Sequence, residues 1–156
     1  RGLGDLYKRQ IYILNKKLII SHEKFEFMEM NELLHKELTG AILKLFYEVY
    51  NELGYGFLER VYQNAMYYEL KANGYKVEAQ KRITVFYKDI IVGEYFADLI
   101  VDNCVILELK AVESLAKEHH NQIINYLRGT DCEVGLLLNF GKKPEFIRRV
   151  YENERK

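Results

Sequence analysis

The stretch that decides the fold is Ala97-Asp-Leu-Ile-Val-Asp-Asn-Cys-Val-Ile-Leu-Glu-Leu-Lys-Ala111. Aliphatic residues on either side of Asp102-Asn103-Cys104 read as two strands joined by a short turn. Side chains alternate along a strand, so Val105, Leu107 and Leu109 face one way and Glu108 and Lys110 the other. If the three turn residues form the loop, Val101 opposes Val105. Counting back then sets Asp98 opposite Glu108, with Cβ atoms about 5 Å apart. Two carboxylates that close repel unless a cation lies between them, and a hard divalent ion with oxygen ligands is the usual solution. Asp98 and Glu108 are therefore candidate Mg²⁺ ligands, with Mn²⁺ as a substitute. Lys110 is a candidate to deprotonate or orient water, or to stabilise charge growing on a phosphate. The same three residues also fit a solvated strand face carrying a cross-strand salt bridge.

Upstream, residues 76–87 and 90–101 are rich in β-branched and aromatic side chains around Lys88-Asp89, which predicts a hairpin. Before it, Leu34, Leu38, Ala41, Ile42, Leu45, Phe46, Val49 and Leu53 keep a three-or-four spacing. This predicts a helix over 31–53, stopped by Gly54-Tyr55-Gly56. Leu58, Val61, Tyr62, Ala65, Glu69 and Leu70 resume the spacing in a second helix that ends near Asn73-Gly74. Downstream, the strand from Val105 runs to Val112 and residues 114–127 turn helical through Leu115, Ile123 and Leu127. Residues 134–140 are nearly all apolar, as a strand buried on both faces should be. The tail, residues 145–151, is open between strand and helix. The order ααβββαβ plus a C-terminal tail predicts an α+β (α/β/α-like) architecture with a central mixed sheet flanked by helices.

A length of 156 residues suits one domain, and 49% hydrophobic residues can bury a core. Residues 30–156 carry it, after an N-terminal extension over 1–29 of uncertain structure, where segments 10–14, 17–21 and 24–28 allow a hairpin or an appended arm. No apolar run approaches the roughly 18 residues that span a bilayer, so no membrane segment is expected. Lys plus Arg and Asp plus Glu are equal at 23 each, so attraction to a polyanion must be local. Cys104 and Cys132 are too few for a disulfide framework, and the opening residues do not form an export signal, which leads to the expectation of a cytoplasmic protein.

In the helix after the second strand turn, Gln122 and Tyr126 lie one turn apart on one face, with His119 on or near it. The glutamine is placed to hold a water or a phosphate oxygen. The tyrosine either contacts phosphate, stacks on a base or simply packs in the core. His119 and His120 lack a third ligand at metal-binding spacing and read as helix-surface residues. Lys81, Arg82, Lys88, Lys117, Arg128, Lys142, Lys143, Arg148 and Arg149 are candidate phosphate contacts, or merely solubilise the surface.

Gly56-Phe-Leu-Glu59-Arg-Val-Tyr62 resembles the signature of the GxxExxY proteins, a prokaryotic group of the PD-(D/E)xK nuclease superfamily. The resemblance runs from about Met30 to Tyr151 and takes in Ala97-Asp98, Glu108-Leu109-Lys110, Gln122 to Tyr126 and residues 134–141. It implies a restriction-endonuclease-like core and Mg²⁺-dependent hydrolysis of phosphodiester bonds in nucleic acid, DNA first. It carries the metal-ligand roles onto Asp98 and Glu108, the lysine role onto Lys110, and the superfamily's helical glutamate onto Glu59. Gln122 and Tyr126 match the QxxxY pattern of RecB-type nucleases. Ala97 stands where the superfamily usually has proline, and residues 1–29 have no counterpart. Gly56 and Tyr62 also admit plain structural roles in the interhelical turn and beneath the site. Two rival readings remain: a nuclease-fold module that binds nucleic acid or a protein partner without turnover, and an interaction protein forming a homodimer through its tyrosine-rich helices.

Overall fold

The computed structural model describes residues 34–156 together with Lys16, His22, Lys24, Glu26 and Glu29. The chain divides into two units, residues 1–34 and 35–156. In the first, Lys16, His22, Lys24, Glu26 and Glu29 are helical and Leu34 lies in a turn. His22 Nδ1 stands 3.4 Å from Glu26 Oε1, one helical turn on. An extended segment at 24–28 is thus corrected at Lys24 and Glu26; the rest of the expected hairpin or arm lies outside the described residues.

In the second unit, helix α1 (Lys36–Leu53) buries Thr39, Ile42, Leu45, Phe46 and Val49, the stripe its apolar periodicity predicts. It starts at Lys36, after a turn at Leu34 and His35 in which His35 takes a φ of 52°. Helix α2 (Glu59–Ala72) buries Tyr62, Gln63, Met66 and Leu70. Leu58 and Val61, expected on that face, are exposed instead, because the buried stripe is centred on Tyr62 and Met66.

Strands β1 (Val77–Tyr87) and β2 (Ile90–Val101) form the expected hairpin, and β3 (Val105–Lys110) follows. β3 ends two residues earlier than expected. Buried Asn139 accepts the N–H of Val112 at 3.0 Å and donates to its carbonyl at 2.9 Å, drawing that residue out of the ladder. Helix α3 (Lys117–Arg128) begins three residues later than its periodicity suggested. His119 Nδ1 accepts the Ala116 N–H there at 3.0 Å, a side-chain cap that fixes the start.

Strand β4 (Val134–Phe140) is buried at every position. β5 (Pro144–Val150) resolves the tail as a strand, with proline at its first position on a sheet edge, where a missing N–H costs no ladder bond. The sheet order is β1-β2-β3-β4-β5. The β3–β4 pair is parallel, joined through α3, and the other neighbours are antiparallel. This is the mixed sheet expected of an α+β domain. At Gly135 a Cβ would lie 2.6 Å from Ile123 Cγ1, so the absence of a side chain on β4 lets α3 sit close on the sheet.

Candidate active site

The register of β2 and β3 pairs Val101 with Val105 and Leu99 with Leu107, as the three-residue turn requires. Pairing then stops. Beyond it the Leu109 N–H donates to Asp98 Oδ2 at 2.8 Å, so a carboxylate takes a backbone donor that the ladder leaves free. Asp98 and Glu108 are both buried, at 9% and 3% exposure. Lys110 Nζ stands 3.1 Å from Glu108 Oε1, and Glu108 Oε2 is buried without a hydrogen-bond partner. An acceptor left unpaired in a protein interior is costly and marks a place where something positive belongs.

The electrostatics follow from that crowding. Burial, then the Asp98 carboxylate, push the Glu108 carboxyl up to about 8, while Lys110 opposes the rise. Burial also raises Asp98, against the pull of the Leu109 N–H, Lys110, Gln80 and Arg60. Glu59, in the first turn of α2, is exposed at the rim, yet it responds to the same charges. Burial and Asp98 raise its carboxyl, and Lys110, His119 and the Ala111 N–H lower it. Tyr126 is raised chiefly by burial, with Glu108 and Asp98 adding to the effect. The fold therefore brings Asp98, Glu108, Lys110, Glu59 and Tyr126 into one electrostatic neighbourhood. Gln122 joins through its side chain, whose Nε2 donates to the Tyr126 hydroxyl at 2.7 Å.

Tyr126 is 5% exposed and its ring lies 5.6 Å from that of Tyr95, so the core reading and the site reading describe the same side chain. His119 and His120, expected on the helix surface, are half-buried and engaged. His119 caps α3, and His120 Nδ1 meets Arg149 at 2.8 Å. Among the cations considered for phosphate, Lys81 pairs with Glu78 and Arg82 with Glu94, while Arg128 lies over the Tyr151 ring. Lys117, Lys142 and Lys143 are exposed.

Three residues beside Asp98 had escaped the sequence reading. Gln80 Nε2 donates to Asp98 Oδ1 at 3.2 Å, and Gln63 Nε2 donates to the Asp98 backbone oxygen at the same distance. Arg60 acts on Asp98 through its charge. Gln80 has a φ of 50°, a left-handed conformation inside a strand that non-glycine residues seldom adopt, and it lies between the register pairs Ala79–Leu99 and Lys81–Ala97. No sequence signal marks that conformation.

Among the described residues, no group of three His, Cys, Asp or Glu side chains already converges as a complete metal cage. Mg²⁺ needs no such cage, since one or two carboxylates suffice when waters and substrate phosphates complete its octahedron. The orphaned Glu108 Oε2 beside Asp98 fits that requirement, and an all-oxygen donor set suits Mg²⁺ or Mn²⁺ over zinc.

A family model described as the PD-(D/E)XK nuclease superfamily matches residues 36–150. Among solved structures, the crystal structure of SSO0001 is similar with a TM-score of 0.49 and 19% identity, over 60% of this chain and 50% of that one. The chain thus spans half the length of that structure. No curated protein matches it.

Proposed function

We propose hydrolysis of phosphodiester bonds in nucleic acid, from the premise that the chain belongs to the PD-(D/E)XK nuclease superfamily and has a restriction-endonuclease-like α+β fold. The observation that carries the reading is the buried carboxylate pair with one oxygen unpaired and a lysine at 3.1 Å. Asp98 and Glu108 are the residues that would hold Mg²⁺, with Mn²⁺ as a substitute and Glu59 supporting from the rim. Once bound, the ion supplies positive charge at the phosphoryl oxygens and lowers the pKa of water.

The chain's own part is positional and electrostatic. Gln80 and the Leu109 N–H hold the Asp98 carboxylate in one orientation. Lys110 brings a cation and up to three donors to the place where charge develops on phosphate, and it opposes the rise of the Glu108 carboxyl. Gln122 positions water or a phosphate oxygen, with Tyr126 behind it. DNA is the first substrate to test. The GxxExxY group, a prokaryotic origin and a cytoplasmic setting belong to the same proposal. The free thiols of Cys104 and Cys132 fit that setting. Association of two copies through Tyr47, Tyr67 and Tyr68, which α1 and α2 leave exposed, belongs to it as well.

The test incubates the protein with single- and double-stranded DNA and RNA, in Mg²⁺, in Mn²⁺ and in chelator. Cleavage is expected only with metal, and Lys110→Ala is expected to lower it by about 10²–10⁴-fold. Metal-dependent binding with no cutting would make the domain a binding module instead.

A further inference from the structure

Between α1 and α2 the backbone follows a fixed and uncommon path. Gly54 and Gly56 take φ values of 68° and 105°, which side-chain-bearing residues avoid. Tyr62, wholly buried and stacked on Phe140 with ring centroids 4.3 Å apart, reaches back from α2 to clasp this turn. Its hydroxyl donates to the Gly54 carbonyl at 2.8 Å and accepts the Phe57 N–H at 3.2 Å. The motif spacing is thereby explained: Gly56 allows the turn, Tyr62 locks it, and Glu59 is delivered to the rim of the carboxylate cluster.

What the locked turn presents to water is apolar. Tyr55, Phe57 and Leu58 are 58%, 49% and 81% exposed. Single exposed apolar residues are ordinary, but three within four consecutive positions on a pinned turn form a surface with a use. The turn leads directly into the site: Leu58 precedes Glu59, whose carboxyl takes the Ala111 N–H at the end of β3 and feels Lys110 and Asp98. Phosphate oxygens offer nothing to Phe57 and Leu58, which have no polar side-chain atom. A closed duplex hides its base faces, whereas an unpaired strand offers a flat apolar face at every base.

We infer that Tyr55, Phe57 and Leu58 form a stacking edge for unpaired bases beside the cluster, which makes single-stranded or frayed nucleic acid the preferred substrate class. This rests on the reading of the cluster as a nuclease site.

The experiment measures binding of the full chain by fluorescence anisotropy, with Ca²⁺ replacing Mg²⁺, to three dye-labelled probes. They are an oligothymidylate, a strand of equal length made of abasic residues, and a closed hairpin duplex. The base-bearing strand is expected to bind about tenfold tighter than the abasic one. The Phe57→Ala/Leu58→Ala double variant should erase that difference, Phe57→Tyr should keep it, and Tyr62→Phe should reduce it with the circular dichroism spectrum unchanged. Phe86→Ala, which removes a still more exposed ring on the β1–β2 hairpin, should behave as wild type. Equal binding of base-bearing and abasic strands, a preference for the duplex, or a double variant that keeps the difference overturns the stacking edge. Cleavage of the same probes in Mg²⁺ is scored separately. Cutting without base-dependent binding overturns the stacking edge and leaves the nuclease reading standing; base-dependent binding without cutting supports the edge and removes only turnover.

Discussion

Asp98 and Leu109 are joined by a 2.8 Å hydrogen bond from backbone N–H to carboxylate, just past Leu99 and Leu107, the last pair of the ladder between their strands. The side chain both closes the gap in the sheet and carries the charge that the proposed metal site needs. These two duties separate by mutation. Asp98→Asn keeps an acceptor for the Leu109 N–H and should change stability by less than about 1 kcal/mol while abolishing metal-dependent cleavage. Asp98→Ala leaves that donor buried and unpaired and should cost about 1–3 kcal/mol in addition. Urea denaturation of both variants beside a cleavage assay checks the split; equal stability of the two would show that the hydrogen bond contributes nothing.

Glu108 sets a pH dependence of stability. Its carboxyl lies at about 8 in the fold against an ordinary 4.5, so between those values the folded chain holds a proton that the unfolded chain has released. Stability is then greatest below about pH 4.5 on this account and falls as pH rises through about 8, by on the order of a few kcal/mol. The raised Asp98 and Glu59 carboxyls add in the same sense. Melting temperatures in chelator from pH 5 to 9 should decline for the wild type and decline less steeply in Glu108→Gln. An upward slope in the wild type would contradict the burial argument.

Metal should cancel that decline. Mg²⁺ or Mn²⁺ at a hundredfold excess over its dissociation constant stabilises the folded state by about 2.7 kcal/mol, and binding competes with protonation of the same oxygens. The thermal shift on adding Mn²⁺ is therefore expected to be larger at pH 8 than at pH 6, and absent from Glu108→Gln. A shift of the same size in that variant would place the ion elsewhere.

Tyr126 and Gln122 separate core from chemistry. Tyr126→Phe loses only the hydroxyl that Gln122 donates to and should cost about 0.5–1.5 kcal/mol, whereas Tyr126→Ala opens a cavity and should cost about 3–5 kcal/mol. Gln122→Ala, half-buried, should leave the melting temperature within a few degrees and lower turnover by about tenfold or more. Steady-state kinetics on all three variants would refute this if Gln122→Ala turned over as fast as wild type.

The strand alternation around Glu108, the three-residue turn and the helical spacing of α1 were legible in the sequence because each is a local pattern with its own period. The count from Val101 and Val105 held as far as Leu99 and Leu107, with no bulge between; beyond that pair the ladder ends, and Asp98 takes the Leu109 N–H instead of standing in a register pair with Glu108. Gln80 was not legible for the opposite reason. The two-residue turn at Lys88-Asp89 taken alone would set Ala79 opposite Asp98. The register shift between Val85 and Phe86 moves the strand by one, so that Gln80 flanks the carboxylate. The tail was ambiguous because its side chains do not alternate cleanly; only pairing with β4 makes it a strand. Leu58 and Val61 misled for a further reason. Apolar spacing shows that a face exists, and the clasp from Tyr62 decides which face turns inward.

The parallel pairing of β3 with β4 governs when Glu108 and Lys110 gain their second neighbouring strand during folding. Glu108 lies opposite Leu137 and Lys110 opposite Asn139, partners that the chain reaches only after the whole of α3 has been laid across the sheet. Closing so distant a loop is slow, since its entropy is lost before any contact rewards it. A nascent chain released only as far as α3 would thus hold every proposed ligand without the strand that braces them, and acquisition of metal should trail the β1–β2 hairpin in a refolding experiment.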